Sequence, residues 1–192
     1  VMAELLDVLD ARELTVSAHG LREGLLLEMV EQAASPRPAG DPLRTMRECV
    51  DRCRGDRRHV EQVRHLALIL YDALAPELGA ESEERALLEA AALLHDTGQL
   101  VSYARHHKHS YPLILNAAGL ALGARARTLV ALISRYHRKK GPSLKHPEFA
   151  ALDRDDQAIV RRLSGLLRVA DGLDRGHTAS VDQLLVSLAD DE

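Results

Sequence analysis

The sequence predicts an all-α protein, built mainly as a helical bundle, and three observations carry that expectation. Ala and Leu dominate a composition that is 46 % hydrophobic, with no Trp and one Phe, which favours packed helices over a sheet sandwich. After residue 42, apolar residues recur at intervals of three and four, the helical period. Gly and Pro separate these runs and leave only short joins.

The elements follow in order. Residues 1–34 read as helix, strand and helix: "VMAELLDVLD" is amphipathic, "ELTVSA" has strand character, and "GLREGLLLEMVEQ" resumes the helical spacing. A lone strand cannot satisfy its own backbone, so this piece expects a partner. Residues 35–42, within "ASPRPAGDP", hold three prolines and a glycine and read as a linker. Residues 43–178 form the main helical domain. Val60, Val63, Ala67, Leu70 and Leu74 mark its first long helix. Leu87, Ala91 and Leu94 mark the next, Leu113, Ala117 and Leu120 another, and Leu129, Leu132 and Ile133 a fourth. Ile159, Val160, Leu163, Leu167, Ala170 and Leu173 form the longest pattern. Pro76, Gly79, Gly98, Gly123 and "KKGPSLKHP" are the expected breaks. Residues 179–192 alternate like the start of a strand, and both chain ends read as cuts through larger structure.

Composition excludes several classes. No apolar run is long enough to cross a bilayer, and the first residues lack a basic region of the signal-peptide kind. A cytoplasmic protein with no membrane partner is expected. Cys49 and Cys53 are the only cysteines and read as free thiols rather than a disulfide framework.

The net charge of −4 hides an asymmetry. Residues 97–147 carry nine Lys or Arg, five His and no acid. Such a block reads as an anion-attracting surface. Arg135, Arg138, Lys139 and Lys140 are its leading candidates, with Arg105, His106, His107 and Lys108 of "RHHKH" beside them. Tyr103, Tyr111, Tyr136 and Phe149 are too few aromatics for single-strand stacking, so nucleic acid is not the expected anion.

A second constellation lies at helix ends. His59 opens the first long helix, His95 and Asp96 end the next, and His109 opens the one after. His137 closes the following helix and Asp171 lies near the end of the last. Imidazoles and carboxylates that converge in a bundle suit Mn, Fe, Zn, Ni or Mg. His65 and His146 read as structural or solvent-facing, and His19 and His177 carry no assigned role.

The spacing His59, His95–Asp96, Asp171 resembles the HD superfamily of metal-dependent phosphohydrolases. That resemblance puts His109 and His137 in the extra slots of its two-metal branch, and makes Asp96 the catalytic residue if the site is active. The blocks "ELTVSAHGLREGLLLEMV", "DRRHVEQVRHLALILYDAL", "AALLHDTGQLVSYARHHKHSYPLILNA", "ISRYHRKKGPSLKHPEFAALD" and "LLRVADGLDRGH" narrow the likeness. They resemble the end of an actin-like lobe and the C-terminal HD-type domain of the exopolyphosphatase / guanosine pentaphosphate phosphatase (Ppx/GppA) family.

The resemblance implies an HD-domain-like helical bundle preceded by a remnant of the second actin-like lobe. It implies a parent hydrolase whose Mg-dependent chemistry belongs to lobes missing from these residues, and for this domain polyphosphate or another phosphorylated ligand and a homodimer. Two readings stand: a polyphosphate-binding and assembly module, or an active metal-dependent phosphohydrolase on a nucleotide or phosphoester. A helical interaction domain with no anion role is a third, plainer reading. The intact HD set, which many family members have lost, keeps the second open.

Overall fold

Two aspartates show how the chain starts its helices. The Asp41 carboxylate accepts from the backbone N–H of Leu43, and that of Asp56 accepts from Arg58 and His59. Pro42, read from sequence as linker, instead takes the first helical position, where a missing N–H costs nothing. The computed structural model describes residues 41–187, which lie in one compact unit beginning at Gly40. The expected helix–strand–helix over 1–34, the linker before Asp41 and the last residues of the 179–192 segment lie outside the described residues.

The described elements are α1 (Pro42–Arg52), α2 (Arg57–Leu78), α3 (Ser82–Leu94), a 3-10 turn (Thr97–Leu100), α4 (His106–Asn116), α5 (Ala124–Arg135), the short α6 (Pro147–Ala150) and α7 (Arg154–Leu173). No strand occurs among the described residues, so the fold is all-α. Residues 178–187 are irregular, and Val181, Leu184 and Val186 pack against the helical core.

The centre of the bundle is α3. Ala90 to Leu94 are all buried, on every side of the helix, and α3 packs on α1, α2, α5 and α7. A helix that is apolar all round belongs in the interior. Its three consecutive alanines let the neighbours approach, and Leu66, Leu88, Leu129, Leu132, Leu163 and Leu167 fill the space around it. Burying the end of α3 carries His95 and Asp96 into the middle of the fold.

Two expected breaks work differently from their sequence reading. Pro76 lies inside the last turn of α2, and Gly79, at φ 57°, ends that helix with a left-handed cap. Gly98 is not left-handed. A Cβ there would sit 2.1 Å from the His106 carbonyl oxygen and 2.5 Å from the Ser110 backbone nitrogen. Its missing side chain lets the first turn of α4 close over the 3-10 turn. The Gly98 N–H donates to Ser110 Oγ at 2.9 Å, and that hydroxyl donates to the His95 carbonyl at 2.6 Å. The start of α4 is thereby pinned to the end of α3. Among the described residues, no helix is long and apolar enough to cross a membrane.

Candidate metal centre and cationic cleft

Four buried histidines each offer one ring nitrogen to an acceptor and turn the other inward. His95 Nδ1 meets the Ala92 carbonyl at 2.8 Å, His106 Nδ1 the Tyr103 carbonyl at 3.0 Å, and His137 Nδ1 the Ser134 carbonyl at 2.5 Å. In each case the acceptor lies three residues back along the chain. His59 Nδ1 meets the Asp174 carboxylate at 2.9 Å. These acceptors cannot donate, so each Nδ1 carries a proton, and a ring in its neutral form presents a bare Nε2 lone pair.

The four Nε2 atoms converge on Asp96 and Asp171. His59 Nε2 lies 3.6 Å from Asp96 Oδ2 and 3.5 Å from Asp171 Oδ1. His95 Nε2 lies 3.6 Å from Asp96 Oδ1 and 3.7 Å from Asp171 Oδ1. Asp96 Oδ1 is also 3.0 Å from His106 Nε2 and 3.8 Å from His137 Nε2. The Nε2 atoms of His106 and His137 are 3.2 Å apart, a contact that two lone pairs cannot hold without a proton or a cation between them. Nitrogen and oxygen ligands about 2.0–2.2 Å from one ion stand roughly 3–3.5 Å from each other.

Fit to a cation can be tested on what the buried atoms lack. His59 Nε2, His95 Nε2 and Asp96 Oδ1 are buried without a hydrogen-bond partner. Leaving three such atoms unsatisfied is costly, and a divalent cation satisfies all of them at once. Three overlapping ligand sets emerge, His59–His95–Asp171, His95–Asp96–His137 and His59–Asp96–His177. The donors suit Mn, Fe, Zn, Ni or Mg.

Electrostatics point the same way. Burial opposes charge on His95, but Asp96 and Asp171 outweigh it and push the ring up to about 9. Burial pushes His137 down to about 3, with the His95 charge adding to the effect. Burial would raise Asp96 and Asp171, yet the surrounding histidines hold both well below the usual carboxylate range. Without a cation, the His95 imidazolium balances part of this buried negative charge.

Next to this centre opens a cleft of about 460 Å³. Arg105, Lys108, Arg135, Lys139 and Lys140 line it, with His107, His146 and Tyr136 and no acidic residue. Arg105, Lys108, Lys139 and Lys140 make no ion pair among the described residues, whereas Arg135 meets Glu148 at 3.2 Å and lies over the Tyr111 ring. Burial, then the charges of His106, Lys108, Arg138 and Lys139, push His107 down to about 4. Adjacent residues divide between the two sites: His106 and His137 face the carboxylates, while His107 and Tyr136 line the cleft.

A family profile described as "Ppx/GppA phosphatase, domain III" matches residues 43–192. The chain belongs to the Ppx/GppA phosphatase family. It is 25 % identical over 171 residues to a "Guanosine-5'-triphosphate,3'-diphosphate pyrophosphatase" of Pseudoalteromonas atlantica, covering 88 % of this chain and 33 % of the relative. A protein of the same description from Vibrio parahaemolyticus is 28 % identical over 191 residues, covering 99 % of this chain and 37 % of the relative. The chain therefore spans about a third of the length of these curated relatives.

Within this Ppx/GppA domain, the structure brings together His59, His95, Asp96, His137 and Asp171 of the sequence-derived ligand set. It does not add His109, which is half-buried one turn further along α4 and joins none of the ligand groups. His106, read from sequence as an anion contact, joins none of those groups either, but the pinned first turn of α4 aims it at Asp96 and His137. Arg138 lies 4.0 Å from Asp171 and does not line the cleft. His146, read as structural or solvent-facing, lines the cleft and pairs with the Tyr136 hydroxyl at 2.9 Å. Asp174 and His177 were missed. Their spacing from Asp171, three and six residues on, was the available signal.

Proposed function

We propose that this Ppx/GppA domain binds a phosphorylated anion, polyphosphate or a phosphorylated small molecule, in the cationic cleft beside a divalent cation. The observation that carries the reading is the cleft itself: five Lys or Arg side chains and no acid around about 460 Å³. Clustered cations bind a polyanion by releasing its counterions, so affinity falls steeply with salt. Arg105 can grip phosphate oxygens in a fork, while Lys108, Lys139 and Lys140 act as point charges. His59, His95, Asp96, His106, His137 and Asp171 would hold the cation. When bound it would polarise a phosphoryl oxygen and lower the pKa of a bound water. Titration of labelled polyphosphate across a salt series tests this reading: binding that collapses with salt supports it, and equal affinity at low and high salt overturns it. Homodimerisation belongs to the same proposal, with sedimentation of the chain as its check.

The four inward Nε2 atoms favour a second reading, metal-dependent phosphohydrolysis at this centre. It calls for metal in protein purified without chelator and for phosphoester turnover that Asp96→Ala removes. Metal-free protein with no turnover after Mn²⁺ addition would end it.

A further inference from the structure

Among the four inward-facing histidines, His59 is held differently. The others hand their Nδ1 protons to a carbonyl three residues back on their own chain segment. His59 is the third residue of α2, and the Asp56 carbonyl in the corresponding place already accepts from the Val60 N–H at 3.0 Å. Its Nδ1 partner comes instead from the far end of the domain. Asp174, just past the end of α7 and almost fully buried, accepts the His59 Nδ1 proton at 2.9 Å. Its other oxygen accepts the Ala179 N–H at 2.7 Å, and its carbonyl accepts the His177 N–H at 2.9 Å. The same residue that holds His59 thus closes the turn that carries His177.

That turn lays the His177 ring flat on His59, with centroids 3.6 Å apart and planes 10° from parallel. Stacked rings cannot both point a lone pair at one ion, because a ligated ion lies close to the plane of its imidazole. By distance alone His177 could join His59 and Asp96 around an ion, but the parallel stack lets only one of the two rings hold that ion in its plane, so in this pose His177 covers His59. Its Nδ1 lies 3.4 Å from Asp56 Oδ2, and the other oxygen of Asp56 accepts the His59 backbone N–H at 3.2 Å. His59 is held by its backbone, by its outer nitrogen and by its ring face.

We infer that Asp174 and His177 are positioning residues that clamp His59, Asp174 fixing its tautomer and His177 its ring plane, so that Nε2 stays aimed between Asp96 and Asp171. The inference rests on the metal reading only for its consequence. A carboxylate behind a ligating imidazole fixes the tautomer and raises its basicity, and losing such a partner costs about 10–100-fold in metal affinity.

Two measurements test the clamp. Long-range proton–nitrogen NMR of the metal-free chain, at a pH high enough to leave the ring neutral, reads the His59 tautomer directly. Proton on Nδ1 in the native protein, redistributed to Nε2 in Asp174→Asn, is the expected result. Proton on Nε2 in the native protein, or an unchanged tautomer in Asp174→Asn, overturns the assignment whether or not metal binds. Calorimetry with Mn²⁺ supplies the second readout. Asp174→Asn is expected to lose about 10–100-fold in affinity and His177→Ala a few-fold, with His177→Phe recovering most of the loss because it restores the stacked ring. Native affinity in both Asp174→Asn and His177→Ala overturns the clamp. A native chain that binds no Mn²⁺ but shows the Nδ1 tautomer overturns the metal reading alone. Should Asp174→Asn fail to fold, the native tautomer and the His177 variants still decide.

Discussion

The two halves of the candidate site are opposites in how they treat charge. In the His/Asp centre the groups are buried and face one another; the carboxylates and the His95 imidazolium balance each other at 3.6–3.7 Å. In the cleft a few residues away, four cations make no ion pair among the described residues. Charges in the centre were desolvated when the chain folded, so a cation entering there meets fixed ligands that need little reorganisation. Charges in the cleft are still solvated and screened, so they attract anions with little shape preference. On the proposed reading, the contrast separates selection from capture: geometry in the centre, salt-dependent attraction in the cleft.

The largest expected break in this contrast comes from Asp96. It approaches all four inward nitrogens, so Asp96→Ala should cost more than the roughly 100-fold that marks the upper end for residues behind a ligand. Mn²⁺ calorimetry reads this, and the polyphosphate affinity of the metal-free variant should change far less, because Asp96 does not line the cleft.

Reversing Lys139 and Lys140 to Glu should do the converse. Polyphosphate affinity at low salt should fall by about an order of magnitude or more, and the salt slope should shrink by about one for each phosphate charge left unneutralised. Mn²⁺ affinity should hold. Parallel losses in both titrations would mean that the two regions are one site.

Gly98→Ala sharpens the comparison through backbone rather than charge. The new methyl group would meet the His106 carbonyl and the Ser110 nitrogen, so α4 must shift. A loss of about 1–3 kcal/mol in stability is expected by denaturant melts, together with weaker Mn²⁺ binding, because His106 rides on that turn.

A pH drift in the metal-free protein, spread over more than about two pH units, is the most gradual effect. His95 titrates at about 9 in the fold and near 6.5 when unfolded. Its raised value stabilises the fold fully below the unfolded pKa, and that contribution is lost as pH rises through the folded one. Between pH 6.5 and about 9 the metal-free protein should therefore lose about 1–3 kcal/mol, while metal-loaded protein, whose His95 is already neutral, should not. A thermal-melt series with and without Mn²⁺ gives the comparison. Equal slopes would place the His95 charge elsewhere.

Much of the fold was legible because a helix writes its buried face into the chain every three to four residues, and α2, α3, α5 and α7 all follow that spacing. The convergence of His59, His95, Asp96, His137 and Asp171 was legible too, since His and Asp recur at the helix ends that meet in the bundle. Choosing among His106, His107 and His109 was not. These neighbours share one segment, and only the close approach of Gly98 to the His106 carbonyl and Ser110 sets which of them faces Asp96. Arg138 escaped for the same reason: its neighbours Lys139 and Lys140 line the cleft, but the turn after α5 directs it toward Asp171.

By itself, then, the sequence determined an all-α bundle, the His and Asp at its helix ends and an acid-free cationic stretch, since each is a local property of composition and period. Only the tertiary structure decided that His106 and not His109 faces Asp96, that Asp174 and His177 reach back across the domain to His59, and that the cations divide between a cleft and internal partners. Those outcomes depend on meetings of residues far apart in the chain, 115 positions in the case of His59 and Asp174, and no local pattern encodes a separation of that kind.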